Sequence, residues 1–401
     1  MKLSKTEQTI ALLTLSLGKA DSENLKPLSI REWNDLSSWL KANDFDPAQL
    51  LEERANNIVS NFQSENGFVD RIDGLLNRGT TLAINLEKWE RAGIWPCFRK
   101  SNDYPKLLRE RLKKKTPPVI FCVGDITIAD TSLIGMVGSR KPDDDDISFT
   151  EEFTNFVVKE GYNIVSGGAK GIDLKSSEIA LLAGAKSVIF VADSLLKYSV
   201  SGDLREYIQE GNLTLLSASY PEAGFNVGLA MQRNKFIYCL SQKTMIVTCT
   251  PDKGGTWAGA IENSKNKWVD MYVQQSDKKG SGNMKLMEHG AIPISNSEDA
   301  FYQFLSEKNE QVEPVVVDEV SETVNQSGEI LDYQDFLSKF EMLVADRFLP
   351  SNELLEQLSI KRKVLFEFLK QGIEEEKIKK KTSPVSYGLN IKKEEAQREL
   401  F

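Results

Sequence analysis

The chain has 401 residues, of which 40 % are apolar and 27 % charged, as in an ordinary globular protein. Its length allows two or three domains, and no apolar run approaches the roughly 20 residues of a membrane-spanning helix. One histidine offers almost no material for a zinc site or a Ser-His triad, and four cysteines without CxxC spacing are predicted to be small core residues. We therefore expect a cytoplasmic protein that needs no membrane, metal ion or cofactor. The net charge of −9 still permits local basic grooves.

Residues 1–95 are predicted to form a helical N-terminal domain. Apolar side chains recur there at helical spacing, and strand-like runs are absent. The predicted helices cover 10–17, 33–40, 50–59 and 86–93. A connector at 104–125 begins with basic residues and ends in a short strand.

Residues 96–307 are predicted to form an α/β domain with a Rossmann-like, doubly wound parallel sheet. Apolar runs of strand length alternate there with helical stretches; the runs are "LIGMVGS", "YNIVSGG", "SVIFVAD", "LTLLSAS", "TMIVTCT", "WVDMYV" and "AIPIS". Near-continuous apolar strands that alternate with helices are typical of a parallel sheet covered on both faces.

The last part of the chain is predicted to hold an acidic linker at 308–330 and a winged-helix domain at 331–401. Its predicted elements are helices at 336–344, 351–358 and 361–373 and a hairpin wing in "KIKKKTSPVSYGL". The lysines and the arginine at 361–363, 370 and 379–381 favour contact with a phosphate backbone, whereas the glutamates at 374–376 oppose it. Both DNA and protein are therefore open as partners of this domain.

Two strands of the predicted sheet end in glycine-containing loops. The loop residues are Gly138, Ser139 and Arg140 after the first strand, and Ser166, Gly167, Gly168, Lys170 and Gly171 after the second. Parallel strands present their carboxyl ends at one edge of the sheet, where ligands bind in open α/β folds. A helix N-terminus attracts phosphate through its free N–H groups. We therefore expect the N–H groups of Gly167 and Gly168 to point at a phosphate, although either loop alone could be a plain turn.

Two later stretches add to this predicted phosphate site. "QRNKF" places Arg233, Asn234 and Lys235 in a helix, and "KGGTWAGA" places Gly255 and Thr256 in a third glycine turn. The alternative for "QRNKF" is a solvated helix face. We expect Arg140 and Arg233 to lie at the solvent-facing edge, where an arginine forks onto phosphate. Neither a GxGxxG nor a GxxxxGK[ST] motif is present, which disfavours dinucleotide binding and ATP hydrolysis by a P-loop.

Four consecutive aspartates, residues 143–146, follow Arg140 and are unexpected beside a groove for DNA. We interpret them as N-terminal charge on the next helix, since acidic residues stabilise the first turn of a helix. The alternative is a repulsion that tunes binding.

The order of these motifs resembles the bacterial DNA-processing protein A (DprA/Smf) family over roughly residues 90–295. The resemblance rests on GSR, SGGAKGID, RN, the Gly-Gly-Thr turn and "GSGNMKLMEHGAIPI". It implies a protein that binds single-stranded DNA, forms a homodimer, helps to load a RecA-type recombinase during natural transformation, and is not an enzyme. Residues 175–176 are Lys-Ser where the family has Ala-His, and Met-Gln precedes RN in place of Phe-Pro. These departures indicate a divergent branch, for example one that acts against foreign DNA.

A nucleotide enzyme or nucleotide sensor is the alternative function. "KGGTWAGAIE" resembles the centre of the PGGxGTxxE motif of lysine-decarboxylase-like phosphoribohydrolases. The position of the catalytic acid is Gly259 here, and Glu262 comes three residues later, which weakens the case for hydrolysis. A sensor that binds a nucleotide without hydrolysing it is not affected by this objection. A pure interaction scaffold is the third alternative.

Overall fold

The computed structural model describes most of the chain. The described residues are 1–18, 25–52, 55–59, 62, 67–275, 281–306, 333–344, 347–349, 354, 357–358, 365, 368–369, 371–373, 375, 377–382 and 385–389. Two compact units are formed by Met1–Val312 and Glu313–Phe401. The predicted acidic linker at 308–330 lies outside the described residues.

The N-terminal part of the first unit is helical, as the sequence predicts. Its helices are α1 (Lys5–Thr14), α2 (Ile30–Ala42), α3 (Ala55–Val59), α4 (Phe68–Leu76) and α5 (Gly79–Arg91). Capping boxes begin α1 at Ser4 and α2 at Ser29, which satisfies backbone N–H groups at both helix starts. Trp89 of α5 packs edge-on against Phe121, whose strand belongs to the sheet described next. The helices and the sheet therefore share one apolar core, and the predicted boundary at residue 95 stays a prediction.

One sheet of nine strands organises the rest of this unit. Its strands are β1 (Trp95–Phe98), β2 (Val119–Val123), β3 (Leu133–Val137), β4 (Asn163–Ser166), β5 (Ser187–Phe190), β6 (Leu213–Ser217), β7 (Lys243–Ile246), β8 (Met271–Gln274) and β9 (Ile292–Ile294). Their order is β1-β2-β6-β5-β4-β3-β7-β8-β9. Within the set β3 to β9, each strand runs parallel to the strands it pairs with. Strand β2 pairs antiparallel with β6, and β1 pairs antiparallel with β2. All the predicted strands of the parallel sheet are confirmed.

Helices cover both faces of this sheet. They are α6 (Lys106–Leu112), α7 (Asp144–Lys159), α8 (Ile172–Leu182), α9 (Leu195–Ser199), α10 (Gly202–Gln209), α11 (Val227–Leu240), α12 (Gly254–Asn266), α13 (Gly282–Met287) and α14 (Glu298–Ser306). Successive residues of β3 point to opposite faces of the sheet and pack in different apolar cores. Leu133 packs in the core that also holds all four cysteines, and Ile134 packs in the core that holds Phe149. The cysteines are thus small core residues, as predicted.

The strand order places a topological switch point between β3 and β7. The chain moves outward from β3 through β4 and β5 to β6, and then returns to add β7, β8 and β9 on the other side. Loops that follow β3 and β7 consequently leave in opposite directions, and such a switch point is where open α/β sheets bind ligands. Beside it, Asp143 caps α7 in a capping box with Asp146, which confirms that the aspartate run is charge at a helix N-terminus.

The second unit contains a helix and a pair of strands around a small apolar core. Helix α15 (Tyr333–Val344) and the antiparallel strands β10 (Ile378–Thr382) and β11 (Val385–Leu389) are present where the sequence predicts a helix and a hairpin. The core includes Phe336, Phe340 and Tyr387. The predicted helices at 351–358 and 361–373 and the basic residues at 361–363 and 370 lie largely outside the described residues. The winged-helix assignment therefore stays a prediction.

Candidate nucleic-acid interface

Two adjoining cavities lie at the carboxyl ends of the parallel strands. The larger, about 320 Å³, is lined by the loops after β3 and β7 and by the side of α11. The smaller, about 220 Å³, is lined by the loop after β4, the end of β5 and Tyr198. Arg140, Phe225 and Arg233 line both cavities. The predicted residues brought together at these cavities are Gly138, Ser139, Arg140, Gly167, Gly168, Lys170, Arg233, Asn234, Gly255 and Thr256.

Arg140 and Lys170 present their positive charges to solvent at this edge. Both side chains are exposed, and neither has an acidic partner among the described residues. The Arg140 guanidinium lies over the ring of Phe225, 6.0 Å from its centroid, and that ring is itself 64 % exposed. The expected position of Arg140 at the solvent-facing edge is confirmed.

Arg233 lies inside the protein, so its expected position at the solvent-facing edge is wrong. It is only 6 % exposed, because α11 crosses the strand ends and turns this side chain inward. Its Nη1 donates to the carbonyl oxygen of Phe190 at 3.1 Å and lies 3.7 Å from a carboxylate oxygen of Asp173. The guanidinium thus joins the end of β5 to the first turn of α8.

Asp173 was missed by the sequence analysis, although it is the last residue of "SGGAKGID". Its carboxylate accepts the N–H of Gly138 at 3.3 Å and the N–H of Gly167 at 3.2 Å. Burial raises the pKa of Asp173, while Arg233 and the two N–H groups act in the opposite direction. The only signal in the sequence was an acid in the first turn of a helix that follows a glycine loop.

The expected orientation of two backbone N–H groups toward a ligand is therefore also wrong. The N–H of Gly167 binds Asp173, and the N–H of Gly168 donates to Ser166 Oγ at 3.3 Å. A Cβ at Gly167 would overlap the Arg233 guanidinium, with 1.2 Å to Nη1. Gly168 has a φ of +64°, and its Cβ would lie 2.5 Å from Ile189. These glycines let the loop pack closely on the protein's own side chains.

Three other predicted residues hold the loops together. Ser166 is fully buried, and its Oγ lies 2.9 Å from that of Ser177. Asn234 donates to the carbonyl oxygen of Gly255 at 2.6 Å, and Thr256 donates to that of Gly138 at 2.9 Å. The loops after β3 and β7 are thus fixed to each other and to α11.

Gly171 and Lys235 do not line the two cavities. A Cβ at Gly171, where φ is +94°, would lie 2.3 Å from the carbonyl oxygen of Ser139, so this glycine allows two loops to approach closely. Lys235 is half-buried, with Nζ 5.2 Å from the centroid of the Phe236 ring, and it lines a separate cavity together with Leu28 and Pro117. Of the other predicted residues, Arg233 also lines that cavity, whereas Arg140 and Lys170 do not.

Tyr238 is a second residue that the sequence analysis missed. It is 1 % exposed, lines the larger cavity and has no hydrogen-bond partner for its hydroxyl group among the described residues. A buried hydroxyl without a partner costs free energy, so this group is suited to a ligand that supplies the missing hydrogen bond. No sequence signal marked it beyond its position one turn after Asn234.

The described residues contain no cluster of three or more His, Cys, Asp or Glu side chains that could hold a metal ion. In the same part of the chain, no helix has both the length and the apolar character needed to span a membrane.

The fold and the site define an α/β protein with a Rossmann-like sheet and a basic edge at its topological switch point. The chain belongs to the DNA recombination-mediator protein A family, whose sequence model matches residues 96–305. This finding confirms the resemblance on which the sequence analysis relied.

Individual relatives agree with this assignment. DNA processing protein DprA of Bacillus subtilis is 28 % identical over 238 residues, which cover 56 % of this chain and 76 % of that protein. Protein Smf of Synechocystis is 26 % identical over 198 residues, 48 % of this chain, and the match spans about half (49 %) of that protein. The crystal structure of DNA processing protein A from Streptococcus pneumoniae aligns with a TM-score of 0.58 at 17 % identity, over 76 % of this chain and 98 % of that one. The last similarity shows the common fold.

Proposed function

We propose that this protein binds single-stranded DNA at the carboxyl edge of its parallel sheet, in DNA processing, recombination mediation or a response to foreign DNA. Membership of the recombination-mediator family supports a role on DNA. The binding mode proposed here rests on the geometry of the two cavities.

The observation that carries the proposal is that Arg140 and Lys170 are exposed at the cavities and have no acidic partner among the described residues. Arg140 and Lys170 stand on loops that Asp173 and Thr256 fix in place, so these charges are held beside the cavities. A nucleic acid gains affinity from such contacts because each neutralised phosphate releases counterions. The negative net charge of the chain does not oppose this, because charges beyond about 10 Å are screened at ordinary salt.

A single strand fits this edge better than a duplex. Phe225 exposes most of its ring beside Arg140, and an exposed aromatic ring next to cations is the arrangement on which unpaired bases stack. The bases of a duplex are already stacked and paired, so they do not offer a free face to Phe225. Stacking also requires no particular base, so the affinity gained there is tolerant of sequence.

The experiment is a fluorescence anisotropy titration of the full chain against a labelled 20-nucleotide single strand, the matching duplex and free AMP. We expect the single strand to bind most tightly and its affinity to fall steeply as salt rises. Binding of AMP without binding of the single strand would contradict the proposal.

A nucleotide sensor is the second candidate, and the unpartnered hydroxyl of Tyr238 in the larger cavity favours it. Hydrolysis is disfavoured. A Cβ at Gly259, the position of the catalytic acid in the phosphoribohydrolases, would lie 2.9 Å from Cβ of Asn234, which leaves no room for a carboxylate. Among the described residues that line the larger cavity, the one acid is Asp173, which two N–H groups and Arg233 already bind.

The resemblance to DprA/Smf proteins further supports a homodimer and a contact between the C-terminal unit and a RecA-type recombinase. Light scattering of the full chain tests the first, with twice the mass of 45.1 kDa expected. Pull-down of a RecA-type recombinase by the full chain, and its loss on deletion of residues 331–401, tests the second.

A further inference from the structure

We infer that Asp193 determines base specificity at this edge and favours guanine over thymine in the bound strand. This inference rests on the proposed binding of single-stranded DNA. It concerns the smaller cavity, which Asp193 lines together with Arg140 and Lys170.

Asp193 faces the same cavity as the loop that carries Lys170. It follows the end of β5, is half-buried, and lines the cavity together with Gly168, Lys170 and Tyr198. One carboxylate oxygen accepts a hydrogen bond from Ser194 Oγ at 2.8 Å. No ion pair engages the carboxylate within the described part of the chain, so it keeps free acceptor sites toward the cavity.

The backbone next to Asp193 is held in an unusual conformation. Ser194 has a φ of 54° and a ψ of 30°, which a residue other than glycine adopts rarely. Its N–H donates to the carbonyl oxygen of Ala223 at 2.8 Å, which ties this loop to the segment that carries Phe225. Strained backbone of this kind persists only where the surrounding structure fixes it, and it clusters at functional sites. The backbone that carries the Asp193 carboxylate is therefore held in place at the cavity that Phe225 also lines.

The chemistry of a carboxylate defines what it can recognise. It accepts hydrogen bonds and repels phosphate, so the phosphates of a bound strand belong near Arg140 and Lys170, and the side of Asp193 suits a group rich in donors. Guanine presents a ring N–H and an exocyclic amino group side by side, which match the two oxygens of a carboxylate. Thymine presents one N–H between two carbonyl oxygens, which a carboxylate repels. The expected preference is therefore for guanine.

The test measures the affinity of the full chain for 20-nucleotide strands of alternating dG and dT, alternating deoxyinosine and dT, dT alone and rU alone. We expect the strand that contains dG to bind at least about fivefold more tightly than dT alone. This factor is about the lower end of the discrimination that one bidentate contact to a base provides. Deoxyinosine lacks the exocyclic amino group and should fall between them. Asp193→Ala should remove the preference, and Asp193→Asn, which keeps the shape but replaces an acceptor by a donor, should weaken it. Asp203→Ala removes the same charge from an exposed acid of α10, so it is the control variant and should keep the preference for the dG strand.

Three results would overturn the inference. The wild type could bind the dG and dT strands equally well. Asp193→Ala could raise the affinity for every strand by the same factor, which would mean that Asp193 only repels the phosphates. A preference for rU over dT that Asp193→Ala abolishes would assign the carboxylate to the 2′-hydroxyl group. If the wild type binds none of the strands, the proposed function itself fails, which is distinguishable from binding without preference.

Discussion

The carboxylate of Asp173 and the guanidinium of Arg233 lie 3.7 Å apart, and both side chains are more than nine-tenths buried. The carboxylate also holds the N–H groups that follow β3 and β4, and the guanidinium holds the carbonyl oxygen at the end of β5. The pair therefore ties three strand ends to α11. It organises the binding edge from within, while Arg140 and Lys170 are left to meet the DNA.

Arg233→Ala should destabilise the first unit by about 3–5 kcal/mol, because the Asp173 carboxylate would remain buried without its cation. Urea unfolding followed by circular dichroism measures this loss. Combining Arg233→Met with Asp173→Asn should cost less than Arg233→Ala alone, since neither charge is then left unpaired. If the double variant loses as much stability as Arg233→Met and Asp173→Asn lose together when measured singly, the two groups do not act as a pair.

Gly168→Ala should destabilise the protein more than Gly184→Ala does. Both glycines have a positive φ, +64° and +76°, so alanine at either position adds about 1–2 kcal/mol of backbone strain. A Cβ at Gly168 would also lie 2.5 Å from Ile189, whereas nothing lies within 4 Å of one at Gly184. Thermal unfolding of the two variants measures the difference. Equal melting temperatures would show that Ile189 moves aside without cost.

The stability of the N-terminal helices should fall at acid pH because of Glu32. Burial alone would raise the pKa of Glu32, but hydrogen bonds from Arg71 and Ser29 outweigh it and lower the pKa below its ordinary value of 4.5. A lowered carboxyl pKa stabilises the folded state above the unfolded pKa, and this stabilisation is lost as pH falls through the folded pKa. Glu32→Gln keeps the helix cap but removes the charge.

Urea unfolding of Glu32→Gln and the wild type at several pH values tests this assignment. The two stabilities should converge as the pH falls below about 4.5. A constant difference across the whole range would rule out the ion pair as the cause.

The sequence predicted the strands of the parallel sheet and the loops of the binding edge, because buried parallel strands and glycine turns leave strong local patterns. The direction in which each side chain of the binding edge points depends on contacts between residues that are far apart in the sequence. Arg233 turns inward because Asp173, sixty residues earlier, offers it a partner. The helix α4 was not predicted, and the partnerless hydroxyl of Tyr238 depends on where α11 lies over the sheet. The buried residues of α4, Phe68, Ile72 and Leu75, recur at helical spacing, so this helix could have been predicted, whereas the surroundings of Tyr238 cannot be read from residue spacing.

Lys170→Ala should weaken binding of single-stranded DNA less than Arg140→Ala does. A lysine supplies charge through a flexible stem, whereas an arginine donates in a fixed fork that matches phosphate. Anisotropy titrations of the two variants with the same labelled strand compare them directly. A larger loss for Lys170→Ala would move the main phosphate contact to the smaller cavity.

The most direct test of DNA binding at this edge is the salt-dependent affinity of Arg140→Ala for a single strand, compared with the wild type and with Arg31→Ala. Arg31 is an exposed arginine of α2 whose side chain is 92 % exposed, so it serves as the matched control. If Arg140 binds phosphate, Arg140→Ala should lose about 1–3 kcal/mol of binding free energy, show a shallower salt dependence and unfold at the wild-type urea concentration. Wild-type affinity and salt dependence in a folded Arg140→Ala protein would contradict this role of Arg140.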